Sequence, residues 1–294
     1  MNDEATVFVP GHITGFFTVE RTDDPATTGS RGGGLTLTDG VRVTVRPAER
    51  TTVVLNDASA EVDAVERVLD ALGHDATVIA ETALPIGAGF GVSGAMALGT
   101  ALGVNAAFEC GFSKNELVTV AHGAEVRAGT GLGDVIAQAQ GGMVLRLRAG
   151  GPASNELDGI PARPRVEYHT LAGLDTSDVI GGDTDRLSVA GSDALSQLRN
   201  EPTADQFMYV SRQFAREANL LTPAVRDVIE TVTAAGGEAT MAMLGETVFA
   251  LGTGLSDAGY DPAVCRVDPT GATLQIESDG PVPREFETRD EDDQ

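Results

Sequence analysis

Residues 85–95 read Pro-Ile-Gly-Ala-Gly-Phe-Gly-Val-Ser-Gly-Ala, between a strand-like run (Ala76 to Leu84) and a helix of small residues (Ala95 to Phe108). Gly87, Gly89 and Gly91 lack a Cβ, so the backbone there can take positive φ and approach a ligand closely. The helix that follows begins with unpaired N–H groups and roughly half a positive charge. Strand, glycine turn and helix start together make a phosphate cradle. Lys114 is the only lysine in the chain, which excludes a P-loop, since that loop ends in Gly-Lys-Ser/Thr. Gly89-x-Gly91-x-x-Gly94 matches the dinucleotide fingerprint. The acid at the required distance, Glu109, instead ends one helical segment just before another, Ser113 to Arg127. A protein-kinase glycine loop would need His-Arg-Asp and Asp-Phe-Gly downstream, and the chain has neither. A glycine turn with packing duties alone stays open on this stretch by itself.

Two further clusters narrow the choice. Glu125-Val-Arg-Ala-Gly-Thr-Gly-Leu-Gly-Asp134 runs into Val-Ile-Ala-Gln-Ala-Gln-Gly141-Gly142, and Val9-Pro-Gly-His12-Ile-Thr-Gly15 stands near the start. With the glycine loop, in this order, they resemble the GHMP small-molecule kinases. The family's last glycine motif would be Gly236 to Phe249, but Met243-Leu244 stand where glycines are common. No residue is carried over from that segment. The resemblance implies a two-domain α+β fold, with an N-terminal α+β nucleotide-binding domain and a C-terminal α/β sandwich. It also implies ATP and Mg²⁺. Val9 to Phe17, Gly29-Ser-Arg-Gly32 and Gly129-Thr-Gly-Leu-Gly-Asp134 look most like the archaeal branch that phosphorylates the hydroxy acid pantoate on the way to coenzyme A. Homoserine and mevalonate kinases, an inactive ligand sensor of the same fold and a dinucleotide oxidoreductase are the rivals.

The resemblance also assigns roles. The loop residues Pro85, Gly87, Gly89, Gly91, Ser93, Gly94 and Ala95 would hold the phosphates of ATP. The Ser93 hydroxyl, in the first helical turn, and Glu125 would serve Mg²⁺. Asp134 would take the proton of the substrate hydroxyl. Ser93 and Asp134 are also good helix N-caps, which is the plainer reading of each. Many relatives carry lysine or arginine where this chain has His12, which is therefore the candidate to act beside Asp134 and to contact the substrate, though it donates a single hydrogen bond and is a weaker charge partner. A pantoate carboxylate needs a cation, and Arg31, set among Gly29, Ser30 and Gly32 to Gly34, is the candidate for bidentate contact. His122 and Glu125 share a helix face, yet two ligands without a third make a weak metal site.

Composition bounds the partners. The 294 residues suffice for two cores. A net charge of −24, with acids spread along the chain, argues against nucleic acid and anionic membrane surfaces. Near-absence of lysine beside retained arginine suggests adaptation to molar cytoplasmic salt. Thr82 to Phe108 carries no charge and is long enough to span a bilayer, but Pro85, Ser93, Asn105 and the glycines favour a buried helix behind a ligand site. No basic-then-apolar leader opens the chain, so a cytoplasmic location is expected. Cys110 and Cys265 fit no metal or redox spacing and are expected as reduced thiols. A homodimer is compatible with all of this.

Periodicity gives the remaining organisation. Val41, Val43 and Val45 alternate with Arg42, Thr44 and Arg46, so Val41 to Pro47 reads as a strand, in a hairpin with Thr51 to Leu55. Thr22 to Gly34 reads as a loop. An amphipathic helix opening at Asp57 or Ser59 runs to Leu72 and closes at Gly73. Ser113 and Glu116 form a capping box. The segment 149–155 reads as the linker between domains at 1–150 and 156–283, and 284–294 as an acidic, disordered tail.

Overall fold

The computed structural model describes residues 4–172 and 184–275. The acidic tail expected at 284–294 lies outside the described residues. Alternating apolar residues bury one face of a large sheet of eight strands. Along its main path the order is β12 (Thr273–Gln275), β1 (Ala5–Phe17), β2 (Gly32–Pro47), β5 (Ala76–Thr82), β3 (Thr52–Leu55) and β4 (Ala58–Ser59). β6 (Met143–Arg148) joins the early part of β2, and β7 (Glu156–Ile160) joins β6. Val7, Val9, Val41, Val43, Val45, Val78 and Ala80 point inward and are buried. The helices α1 (Asp63–Leu72), α2 (Val92–Ala107), α3 (Lys114–Ala128) and α4 (Asp134–Gln140) cover that face.

α2 sits at the centre, apolar on nearly every side and buried along most of its length, as a helix enclosed by a sheet and other helices must be. No helix among the described residues is long and apolar enough to cross a membrane. α3 opens on the expected capping box, with Ser113 and Glu116 satisfying each other's backbone N–H groups. Its Lys114 reaches over to α4, where the ammonium donates to the Ala139 carbonyl at 2.8 Å, a favourable place for a cation near a helix C-terminus.

A second, antiparallel sheet has the order β11 (Ala263–Arg266), β8 (Arg165–Ala172), β10 (Glu246–Leu251), β9 (Thr240–Ala242). It packs with α5 (Asp185–Asn200), α6 (Ala204–Glu217), α7 (Pro223–Ala234) and the short α8 (Gly254–Asp257). Aromatic residues are scarce, yet five of the ten phenylalanines gather where the two layers meet. Phe16 and Phe17 of β1 lie 5.7–6.5 Å, ring centre to ring centre, from Phe207 or Phe214 of α6. Phe207 reaches Phe249 of β10 at 6.4 Å. The buried residues form one continuous core.

Several local expectations need correction. Val41 to Pro47 and Thr51 to Leu55 do not form a hairpin, because β5 inserts between β2 and β3 and pairs with both. The helix expected from Asp57 or Ser59 starts at Asp63, since Ala58–Ser59 pair back onto β3 as β4; its close at Gly73, with φ 71°, holds. Gly32 to Gly34 belong to β2 rather than to a loop. The segment 149–155 turns the chain back within one sheet, β6 into β7, and β12 returns to the same sheet. The boundary drawn at 150–156 therefore falls inside the first sheet. Cys110 and Cys265 are free thiols.

Candidate active site

The sequence of β1 contains one irregularity that matters for the site. Its register against β2 shifts between Pro10 and His12, a bulge at Gly11 of the kind that re-aims a side chain. His12 is thereby turned into the interior, fully buried, and its ring lies over Gly34 of β2. A Cβ on Gly34 would come within 2.2 Å of His12 Nε2, so the neighbouring strand must carry glycine there. His12 Nδ1 meets Asp134 Oδ1 at 2.7 Å.

Asp134 is the first residue of α4, after the N-cap Gly133, and its carboxylate also accepts from its own backbone N–H. Burial pushes its carboxyl upward, but the hydrogen bond and charge of His12 and the positive charge of Arg146 outweigh this and hold it below the usual carboxylate range. Burial lowers His12 in turn, against the pull of Asp134. The consistent assignment is an ionised Asp134 accepting from Nδ1–H of a neutral His12. The Asp134 side chain keeps 25% exposure, which leaves it open to the cleft it borders.

That cleft has a volume of about 520 Å³. One wall is the loop Ile86 to Gly94. Gly87, Gly89 and Gly91 all have positive φ, of 73°, 89° and 62°. No side chain caps the start of α2, so the N–H groups of its first turn face outward unpaired. Pro85 and Ala95 flank the loop without lining the cleft, and Ala95 is buried with its N–H bonded to Gly91 O at 2.9 Å. The Ser93 hydroxyl does not cap the helix: it donates to Glu125 Oε1 at 2.5 Å, and Thr130 Oγ1 donates to the same oxygen at 2.9 Å. Burial raises the Glu125 carboxyl to about 7, with these two hydroxyls and nearby Asp134 as smaller influences.

Arg31 is not among the residues lining the cleft. Its guanidinium is engaged by Glu20 and by Ser192 Oγ at 3.2 Å. Among the described residues the cation that lines the cleft is Arg146, which sequence reasoning missed. It is 2% exposed, bonds Ser30 O at 3.4 Å through Nε, and leaves Nη1 without a protein partner. The available signal was an arginine directly after an apolar run buried on both faces, Met-Val-Leu-Arg146, whereas Arg148 at the strand's end is exposed. His122 also lies apart from the cleft, with Nε2 bonded to the Thr28 carbonyl at 2.8 Å.

The degenerate glycine segment turns out to brace the loop. After β9 the chain turns at Met243 to Gly245, and Met243 and Leu244 border the cleft. Thr247 Oγ1 donates to Ala88 O at 2.9 Å, and a Cβ on Gly245 would lie 2.2 Å from that oxygen. Leu55, Val62, Ile86, Met96 and Ala128 give part of the cleft an apolar lining.

Comparison with known proteins fits this geometry. Residues 60–142, which hold the loop, the Gly-Thr-Gly-Leu-Gly turn and Asp134, match the family described as the GHMP kinases N terminal domain. A pantoate kinase of Methanospirillum hungatei is 33% identical over 84% of this chain and 87% of its own length. The chain belongs to the GHMP kinase family. A second relative of this GHMP kinase, a pantoate kinase of Methanocaldococcus jannaschii, is 31% identical over 83% of this chain and 92% of its own. A solved structure described as a phosphotransferase related to the CoA biosynthesis pathway is 28% identical, with a TM-score of 0.83 over 92% of this chain and 98% of that one.

Proposed function

We propose that this GHMP kinase transfers the γ-phosphoryl group of ATP to a hydroxyl of pantoate, giving 4-phosphopantoate on the route to coenzyme A. The observation that carries the reading is the pairing of Asp134 and Arg146 in one cleft that also receives the uncapped start of α2. Backbone N–H groups of the loop and the first turn of α2 hold the phosphates, and the apolar lining receives the purine. The buried, partly unpartnered Arg146 guanidinium, beside Ser30, meets the carboxylate of the acceptor. Asp134 accepts the proton of the acceptor hydroxyl as its oxygen bonds to the γ-phosphorus and the bond to the bridging oxygen breaks, releasing ADP. His12 keeps the Asp134 carboxylate oriented through Nδ1–H.

Mg²⁺ fits the residues present. Among the described residues no cluster of three or more metal-binding side chains exists. A single carboxylate and a hydroxyl facing the phosphate cradle, Glu125 and Ser93, are what an ion bound mainly by phosphates and water requires. When bound, it would neutralise charge on the phosphates. An amino-acid acceptor such as homoserine needs an acid for its ammonium. Among the described residues the only acids lining the cleft are Glu125 and Asp134, which this reading assigns to the metal and to the hydroxyl proton, and that favours a hydroxy acid over an amino acid. We also infer a cytoplasmic, high-salt setting from the charge of −24.

A coupled assay of ADP release over pantoate, mevalonate, homoserine and galactose in molar potassium chloride tests the assignment. Turnover with pantoate at least tenfold above the others is expected; equal or greater turnover with another acceptor overturns it.

A further inference from the structure

Gln138 stands one helical turn beyond Asp134 on α4, hence on the same face. It is fully buried. Its Nε2 donates to Gly91 O at 2.9 Å, the carbonyl that also accepts the Ala95 N–H in the first turn of α2. The other end of the carboxamide, Oε1, has no partner and lies against Gly94, where an added Cβ would come within 3.1 Å of it. The opposite orientation of the amide would set two acceptors against each other. An interior position that served packing alone would be apolar, since an unpaired buried acceptor is unfavourable. The polar group remains because one half of it makes a specific bond to the phosphate loop.

We propose that Gln138 is a positioning residue that fixes the distance and orientation between the carboxylate of Asp134 and the phosphate loop. The peptide unit joining Gly91 and Val92 is planar and trans, so holding the Gly91 carbonyl toward Gln138 and the helix holds the Val92 N–H toward the cleft. The far end of α4 is tied independently, by Lys114 on Ala139 O and by Ala272 N–H on Gln138 O, each at 2.8 Å. With that end anchored, the Gln138 bond ties α4 directly to the loop, beside the second link through His12, whose ring meets Asp134 at 2.7 Å and whose backbone N–H donates to Phe90 O at 3.0 Å. The inference rests on the kinase reading above, but only in part, because the loop amides can be probed without an acceptor.

Gln138→Met keeps reach and volume and removes the donor. In the full-length protein the expected result is a kcat reduced 10- to 100-fold, a pantoate KM within twofold of the parent and a Kd for a non-hydrolysable ATP analogue raised at least fivefold. Gln138→Asn, whose donor falls one methylene short, should behave the same way and carries the test if the methionine variant does not fold. In an Asp134→Asn background the further loss of kcat on adding Gln138→Met should shrink below twofold, because both changes act on one geometry. A purely structural role would lower the melting temperature with parental kcat and analogue Kd in the folded fraction, and that outcome overturns the proposal. If pantoate is not the acceptor, the parent itself fails to turn it over while the analogue Kd still decides the role of Gln138.

Discussion

Asp134 is held ionised by His12 and Arg146, with its own backbone N–H as a smaller influence. Asp134→Asn keeps the shape and removes the proposed base. Initial-rate and melting measurements should show kcat lower by about 10²- to 10⁴-fold, with a stable fold and retained ATP binding. Parental turnover would remove Asp134 from the mechanism. The two arginines separate cleanly: Arg146→Gln should raise the pantoate KM by at least tenfold, whereas Arg31→Gln, altering a group already bound by Glu20 and Ser192, should leave it within twofold. Glu125 gives a pH signature. Its carboxyl is raised from 4.5 to about 7, so its contribution to stability is present below 4.5 and is lost as the pH climbs through 7. The loss is on the order of 3 kcal/mol. Denaturant titrations without metal, from pH 4.5 to 8, should show a shallower decline for Glu125→Gln than for the parent, and parallel curves would contradict the assignment. Asp134, Ser93 and Glu125 were legible because each lies in a contiguous glycine-rich segment. Arg146 and Ser30 were not: they sit on separate stretches of chain, and only the pairing of Gly32 with Arg146 brings them together.

Among the elements, helices were easier to read than strand partners. The limits of α3, read as Ser113 to Arg127, follow from its capping box and periodicity. The partners of β2 do not, because the strand that separates it from β3 arrives some twenty residues later and leaves no mark on either segment. The turn at Met243 to Gly245 was illegible for the same reason, since its contact with Ala88 is long-range. Gly245→Ala places a methyl against that carbonyl and should push the phosphate loop out of place. Calorimetry with an ATP analogue should report at least a tenfold weaker Kd while the melting temperature moves by only a few degrees. An unchanged Kd would mean that the loop does not depend on the brace.

For the whole molecule, the charge of −24 governs how the surface responds to its solvent. At low ionic strength the acids repel over distances that molar salt screens to about 3 Å. Circular-dichroism melts should therefore move upward by at least 10 °C between 0.1 M and 2 M potassium chloride, and coincident midpoints would refute the high-salt reading.

The pairing of Thr6 to Phe8 with Thr273 to Gln275 has a kinetic meaning. During synthesis β1 can find β2 within a few dozen residues, but Thr6 to Phe8 on its other edge wait until Gln275 has left the ribosome. Until then the strand that carries His12 presents a row of unpaired N–H and C=O groups, a ready template for a neighbouring nascent chain. Closure of this last, most non-local contact is intrinsically slow, so the interval before it is when the polypeptide is most prone to aggregate.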